Sequence, residues 1–126
     1  MLAAARSGLR RMSPEQAARA QRRGALLIDT RTETQRQEQG ELPGAIVIDR
    51  TVLEWRLDPC SPWRIPEASS ADLEVIVFCR EGYSSSIAAA SLQSVGLRRA
   101  TDVVGGVAAW IECGLPIHRG PADVRR

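Results

Sequence analysis

One stretch of this chain, residues 75–87, reads VIVFCREGYSSSI and predicts three structural units in succession. Val75–Phe78 is wholly apolar, which is typical of a buried parallel strand. Cys79 then opens a short glycine-containing loop, and a helix follows in which apolar and small residues recur with the 3.6-residue helical period. The stretch therefore predicts a cysteine held between the carboxyl end of a strand and the first turn of a helix.

That position favours a reactive thiolate. A helix start contributes unpaired N–H groups and about half a positive charge, and a curled loop turns further N–H groups inward. A thiolate in such a nest is stabilised, so the pKa of Cys79 is expected to fall below the reference value of about 8.5. Backbone dipoles would then replace a general base, which suits a chain whose single histidine is His118. The alternative, a merely structural cysteine at a strand end, leaves the loop unexplained.

The rest of the chain alternates short apolar runs with helical patterns. Ser13, Pro14 and Gln16 predict the capped start of a helix that ends before Gly24. Further strands are predicted at Ala25–Asp29, Ala45–Ile48 and Thr101–Val104, and further helices at Val52–Leu57 and Val107–Cys113. Residues 30–42 are predicted as a loop with a turn or two of helix in Glu33–Gln39.

This alternation predicts an α/β fold with right-handed crossovers. Helices are expected on both faces of a mainly parallel sheet of four to five strands, in three α/β/α layers. Ligands of such sheets bind beyond the carboxyl ends of the strands. Asp29 and Cys79 both lie at the carboxyl ends of strands, so we expect them at the same edge of the sheet.

Composition limits the function further. A chain of 126 residues predicts one domain, and a net charge of +2 gives no electrostatic case for nucleic acid or a membrane surface. The terminal arginines are interpreted as solvated: Arg6, Arg10, Arg11, Arg125 and Arg126. Three widely spaced cysteines, without a C-x-x-C pair, argue against a disulfide framework or a zinc site and for a reducing cytoplasm. No cofactor is expected.

The Cys79 loop resembles the active-site loop of rhodanese-like domains, where a cysteine opens a six-residue loop before a helix. Three further motifs agree and follow in the family's order: DTR at 29–31 for Asp-x-Arg, GELPGA at 40–45 for Gly-His-Ile-Pro-Gly-Ala, and GGVAAW at 105–110 with GLPI at 114–117 for Gly-Gly-x-x-x-Trp and Gly-x-Pro. The resemblance implies a rhodanese-like domain over residues 13–118, an N-terminal extension over 1–12 and a C-terminal tail over 119–126.

The resemblance also implies a sulfurtransferase of the thiosulfate type. The Cys79 thiolate would attack the outer sulfur of a small anionic donor such as thiosulfate, and sulfite would leave. The Cys79 persulfide would then pass its sulfur to cyanide, to a thiol or to a protein acceptor. Neither nucleic acid nor a membrane is implied as a partner.

The implied substrate-binding residues are those of the loop: Arg80, Glu81, Gly82, Tyr83, Ser84 and Ser85. Their N–H groups would hold the persulfide and the donor. Several side chains keep two interpretations. Arg80 either meets the anion or faces solvent beside Glu81, which partly offsets its charge. Ser84 and Ser85 either donate hydrogen bonds to the persulfide or cap the helix, and capping is the preferred interpretation. Tyr83 either lines the mouth of the pocket or packs against its neighbours without a binding role.

Asp29 and Arg31 are supporting residues in this interpretation. Arg31 is predicted to pair with an acid such as Glu38 and to hold the loop that faces Cys79. Glu41 stands where many members carry histidine, which leaves catalysis intact. Trp55, Trp63 and Trp110 are predicted to pack in the core or at its rim, while Cys60 either is a bystander or resolves the persulfide.

Two other functions compete with sulfur transfer. Cysteine phosphatases of the same fold use Cys-x5-Arg, but Ser85 stands six residues after Cys79 and the next residue is Ser86, so no arginine is available there. The chain is alternatively a non-catalytic or regulatory rhodanese-like module that binds a partner or carries sulfur. Activity that depends on Cys79 separates these interpretations.

Overall fold

The computed structural model describes all residues, 1–126. The strands are β1 Leu26–Asp29, β2 Ile46–Ile48, β3 Val75–Phe78, β4 Ala100–Asp102 and β5 Asp123–Arg125. The α-helices are α1 Leu2–Ser7, α2 Pro14–Arg22, α3 Glu33–Gln39, α4 Leu53–Leu57, α5 Ser84–Ser94 and α6 Gly106–Glu112, and a 3₁₀ turn at Arg50–Val52 precedes α4. None of the helices is long and apolar enough to cross a membrane.

The strands form one sheet in the order β4-β3-β1-β2-β5, and every pairing is parallel. The predicted α/β fold with a mainly parallel sheet is therefore confirmed. The strand predicted at Thr101–Val104 is displaced toward the N-terminus, because Val103 makes only an isolated bridge to Met12 before the chain turns.

Each face of the sheet has its own core, because successive strand residues point to opposite sides. On one face, Ile28 and Val77 pack with α4 and α5. On the other face, Leu27, Ile76 and Phe78 pack with α2 and α6. This packing leaves the carboxyl ends of β1 and β3 together at one edge, where Asp29 is paired with Phe78 in register.

Local signals place the helix starts. The capping box of Ser13 and Gln16 is present as predicted, and Thr32 forms a second one with Gln35 at the start of α3. The turn or two of helix predicted in Glu33–Gln39 is therefore confirmed as α3, which is about two turns long and begins at this second box. Trp110 is buried, whereas Trp55 and Trp63 contact each other at the surface with ring centroids 5.7 Å apart.

Both ends of the chain pack against the domain. Residues 123–125 add the edge strand β5, where Arg125 pairs with Glu67 at 2.8 Å. The helix α1 packs on α5, and Arg11 pairs with the buried Asp102 at 2.8 Å. Arg6 donates to the Ser86 hydroxyl at 3.0 Å and to the Gly82 carbonyl at 2.9 Å. The interpretation of Arg6, Arg11 and Arg125 as solvated residues is therefore wrong. Charge patterns alone do not show which arginines near the chain ends have a polar partner within reach in the folded protein.

Candidate active site

Cys79 lies between the end of β3 and the start of α5, with 6% of its surface exposed. Its Sγ accepts hydrogen bonds from the N–H of Gly82 at 3.1 Å and from the N–H of Ser85 at 3.4 Å. The first donor comes from the loop and the second from the first turn of the helix. The structure thus brings both expected kinds of backbone donor to one sulfur atom.

The electrostatic surroundings of Cys79 favour the thiolate. Burial by itself raises the pKa of the Cys79 thiol, but hydrogen bonds from the Ser85 and Ser84 side chains and from the N–H groups of Ser85 and Gly82 outweigh it and bring the pKa below its usual range. The Ser85 hydroxyl has one proton, which in this structure it donates to Asp102 at 2.8 Å. The hydrogen bonds that reach the sulfur in this structure come from the N–H groups of Gly82 and Ser85.

The serines at the start of α5 do not cap it. The N-cap residue is Tyr83, no side chain makes a capping bond, and both Ser84 and Ser85 lie inside the helix. The preferred interpretation of Ser84 and Ser85 as caps is therefore wrong. Ser85 and Ser86 instead donate to the buried carboxylate of Asp102, at 2.8 and 2.7 Å. Sequence reasoning missed Asp102, whose position beside α5 depends on the sheet order.

The start of α6 supports the loop from below. The N–H of Val107 donates to the carbonyl of Cys79, and the N–H of Ala108 donates to the carbonyl of Arg80, both at 3.0 Å. Gly106 has a φ of +60°, and a Cβ atom there would lie 2.5 Å from the Cys79 carbonyl oxygen and 2.7 Å from the Gly82 nitrogen. The Gly105-Gly106 turn is thus the surface on which the cysteine loop rests.

A cavity of about 340 Å³ opens above Cys79. It is lined by Thr30, Gln35, Cys79, Arg80, Glu81, Tyr83 and Ser84. Arg80 and Glu81 form an ion pair at 3.2 Å with both side chains at least half exposed, and Tyr83 is exposed at the mouth. The cavity therefore has an almost neutral mouth and a floor of hydrogen-bond donors.

Thr30 and Gln35 are cavity residues that the sequence reasoning missed. Thr30 donates its N–H and its hydroxyl to the carbonyl of Phe78, at 3.0 and 2.9 Å, so it lies beside Cys79 across the sheet edge. The signal was available, because Thr30 is the middle residue of the Asp-x-Arg motif and directly follows β1.

Asp29 and Arg31 pair with each other beneath the site. The Arg31 guanidinium donates from Nη2 to Asp29 Oδ2 at 2.8 Å and from Nε to Oδ1 at 3.0 Å, and both side chains are buried. The predicted partner of Arg31, Glu38, is therefore wrong, since Asp29 is two residues away and already buried. Neither residue lines the cavity above Cys79. Glu41 pairs with Arg36 at 3.0 Å.

The other two cysteines lie elsewhere. Cys60 and Cys113 are free and exposed, and neither lines the cavity above Cys79. No cluster of histidine, cysteine and carboxylate side chains with metal-binding geometry occurs in the structure. Cys79 is thus the one cysteine of the chain that lines this cavity.

Comparisons with known proteins agree with this arrangement. Residues 13–113 match the family described as the Rhodanese-like domain. A sulfurtransferase from Allochromatium vinosum is 34% identical over 92 residues, which cover 73% of this chain and 77% of that protein. The chain belongs to the rhodanese-like family of sulfurtransferases, so the resemblance drawn from its motifs is confirmed.

Solved structures show the same fold. A protein of unknown function from Rhodopseudomonas palustris, described as a possible tyrosine phosphatase, matches with a TM-score of 0.83 and 28% identity over 93% of this chain and 90% of that one. The human single-domain sulfurtransferase matches with a TM-score of 0.63 and 24% identity over 81% of this chain and 95% of that one.

Proposed function

We propose that this protein moves a sulfane sulfur from a donor such as thiosulfate to a thiophilic acceptor through a persulfide on Cys79. The observation that carries the proposal is the position of the Cys79 sulfur. It lies at the floor of an open cavity and accepts two backbone N–H bonds that favour its thiolate form. A thiolate is the nucleophilic form of cysteine, so the chain supplies what the first step needs.

In the first half of the reaction, the Cys79 thiolate attacks the outer sulfur of thiosulfate. A sulfur–sulfur bond to Cys79 forms, the sulfur–sulfur bond of the donor breaks, and its electron pair leaves with sulfite. The N–H groups of Arg80, Glu81 and Tyr83 make no hydrogen bond within the chain. They are therefore available to the persulfide and to the oxygens of the donor, as in an anion-binding nest.

In the second half, an acceptor such as cyanide or a thiolate attacks the outer sulfur of the persulfide. The persulfide bond breaks, and its electron pair returns to Cys79 as the thiolate. The ion pair of Arg80 with Glu81 leaves little net charge at the mouth, so a thiol acceptor, on a small molecule or a protein, meets no repulsion there. We place this cycle in the reducing cytoplasm, where thiol acceptors are abundant.

Intact-mass measurement after incubation with thiosulfate tests the proposal. The expected result is a gain of one sulfur atom, which is lost again when cyanide is added. Cys79→Ser should not gain the sulfur, whereas Cys60→Ser and Cys113→Ser should gain it as the wild type does. A wild-type mass that stays unchanged across several sulfur donors would contradict the proposal and favour a non-catalytic binding module.

The pH dependence of thiol modification gives a second prediction. Cys79 should react with a small alkylating agent before the other two cysteines below neutral pH, because the lowered pKa of its thiol leaves a larger ionised fraction there. Its rate should fall with decreasing pH, as protons occupy the thiolate. Desolvation, together with Glu15 and Glu112, raises the pKa of Cys113, so that residue should react later. Peptide mass mapping after limited labelling identifies the order, and an unlabelled Cys79 beside labelled Cys60 would refute it.

A phosphatase function is the less well supported candidate. The similar structure from Rhodopseudomonas palustris is described as a possible tyrosine phosphatase. Cysteine phosphatases bind phosphate with an arginine six residues after the nucleophile, where this chain has Ser85, and the Ser85 hydroxyl is bonded to Asp102. We therefore expect no hydrolysis of an aryl phosphate above background, and Cys79-dependent hydrolysis would favour the phosphatase.

A further inference from the structure

A buried acid lies directly behind the cysteine loop. Asp102, at the end of β4, is fully buried, and its carboxylate accepts four hydrogen bonds. Arg11 donates Nε to Oδ1 at 2.8 Å and Nη2 to Oδ2 at 3.1 Å, and the Ser85 and Ser86 hydroxyls donate to Oδ2. The bidentate arginine neutralises the carboxylate, and the two hydroxyls connect it to the first turn of α5.

The same arginine also holds the loop. Arg11 Nη2 donates to the Gly82 carbonyl at 3.1 Å, and Arg6 Nη2 donates to that carbonyl at 2.9 Å. Arg6 Nε also donates to the Ser86 hydroxyl at 3.0 Å. The N–H of Gly82 is one of the two donors on the Cys79 sulfur. Gly82 therefore accepts hydrogen bonds from both arginines at its carbonyl oxygen, while its own N–H donates to the Cys79 sulfur.

We propose that Arg6, Arg11 and Asp102 are positioning residues that keep the Gly82 and Ser85 N–H groups directed at the Cys79 sulfur, so that the N-terminal segment completes the active site. The inference rests on the proposed role of Cys79 as the nucleophile. Arg6 and Arg11 precede residues 13–113, the part of the chain that matches the family. They therefore give the loop charged hydrogen-bond donors that lie outside the matched region.

Gly82 is the loop residue whose backbone most needs to be held in one orientation. Gly82 has a φ of +86°, and glycine has the widest backbone freedom, so rotation of its peptide planes would turn the N–H away from the sulfur. Two charged donors on its carbonyl hold the Gly82–Tyr83 peptide plane and with it the position of the Gly82 Cα, from which the N–H is directed at the sulfur. Bonds to charged groups suit this role because they are about twice as strong as neutral ones. The Asp102 carboxylate aligns the arginine fork and the start of α5 at the same time.

The N-terminal segment is itself anchored on both sides of the site. Before Arg11, α1 packs on α5. After it, the Met12 N–H donates to the Asp102 carbonyl at 3.0 Å, and the Val104 N–H donates to the Met12 carbonyl at 2.9 Å. Arg11 is thus attached to the edge strand β4 and cannot move away without breaking these bonds.

The test measures the rate at which iodoacetamide modifies Cys79, as a function of pH, in a chain whose other two cysteines are replaced by serine. Arg11→Ala should react about tenfold more slowly near neutral pH, with its midpoint about one pH unit higher. Arg11→Lys should also lose several-fold, because one ammonium does not reproduce the planar fork that serves both Asp102 and Gly82. Arg6→Ala removes only the bonds to Gly82 and Ser86 and should give a smaller loss in the same direction.

Arg10→Ala is the matched control, because Arg10 is adjacent and makes no ion pair or side-chain hydrogen bond; it should behave as the wild type. Circular dichroism melting shows which variants are folded, and if Arg11→Ala is unfolded, Arg11→Lys and Arg6→Ala decide the result. Rates within twofold of the wild type in the folded variants would overturn the inference. So would full recovery in Arg11→Lys, since charge alone would then explain the effect.

These results are separable from those of the proposed function. The alkylation rate needs no sulfur donor. A wild type that alkylates with a lowered midpoint but gains no sulfur from any donor overturns the sulfur-transfer proposal, while the arginine variants still decide the positioning role.

Discussion

Replacing Cys79 with alanine is expected to reduce sulfur transfer from thiosulfate to cyanide to the background rate, a loss of at least about a thousandfold. The reason is that no other group can hold the sulfur covalently in this cavity. The remaining lining side chains carry hydroxyl, amide, guanidinium, carboxylate or phenol groups. Thiocyanate formation, measured by its coloured iron complex in the steady state, gives the rate constants.

The controls for this prediction are the other two cysteines. Cys60→Ala and Cys113→Ala should each retain the wild-type rate, because both residues are exposed and away from the cavity. A large loss in Cys60→Ala would show that it resolves the persulfide and would make the mechanism a two-cysteine one. Full activity in Cys79→Ala would contradict the mechanism itself.

Gly106→Ala is expected to damage both stability and activity. A Cβ atom at this position would lie 2.5 Å from the Cys79 carbonyl oxygen and 2.9 Å from the Glu81 nitrogen, so the cysteine loop must shift. The left-handed backbone costs a non-glycine residue about 1–2 kcal/mol, and overpacking against a backbone adds about 1–3 kcal/mol. We expect the free energy of unfolding to fall by about 2–5 kcal/mol in urea titrations, from the sum of these two effects.

The shift of the loop should also lower kcat/KM, by about a hundredfold, because a displacement of about 1 Å misplaces the donors on the sulfur. Gly114→Ala is the matched control. Gly114 also has a positive φ, of +76°, but a Cβ atom there meets nothing within 4 Å. It should lose only the 1–2 kcal/mol or so of left-handed strain and keep its activity. Equal effects in the two variants would show that strain alone, and not contact with the loop, explains the role of Gly106.

Much of the site could be predicted because its signals are local. An apolar run ending in Cys79, a glycine loop and a helix start together define a backbone nest within about ten residues. The order of strands and helices then places the carboxyl ends of the parallel strands at one edge. The capping box of Ser13 is equally local, since its partner is three residues away. The motifs that resemble those of rhodanese-like domains add the prediction of sulfur transfer.

The predictions that were wrong concern side chains whose partners are distant in sequence or hidden by burial. Ser85 was expected to cap its own helix, but it bonds to Asp102, which is 17 residues away. Arg11 was expected in solvent, but it pairs with the same acid across 91 residues. Arg31 was assigned the wrong acid, because the sequence does not reveal that Asp29 is buried beside it.

The sequence by itself determined the α/β fold, the position of Cys79 and the backbone donors that favour its thiolate. These features depend on the spacing of apolar residues, on the positions of glycines and on the signals that start helices. All of these signals act over a few residues along the chain. Only the tertiary structure decided which residues hold the loop in place: Gly106 beneath it, Thr30 beside it, and Asp102 with Arg6 and Arg11 behind it. The physical reason is that a buried charge or a close backbone contact is defined by distance in space, and the sheet order sets that distance.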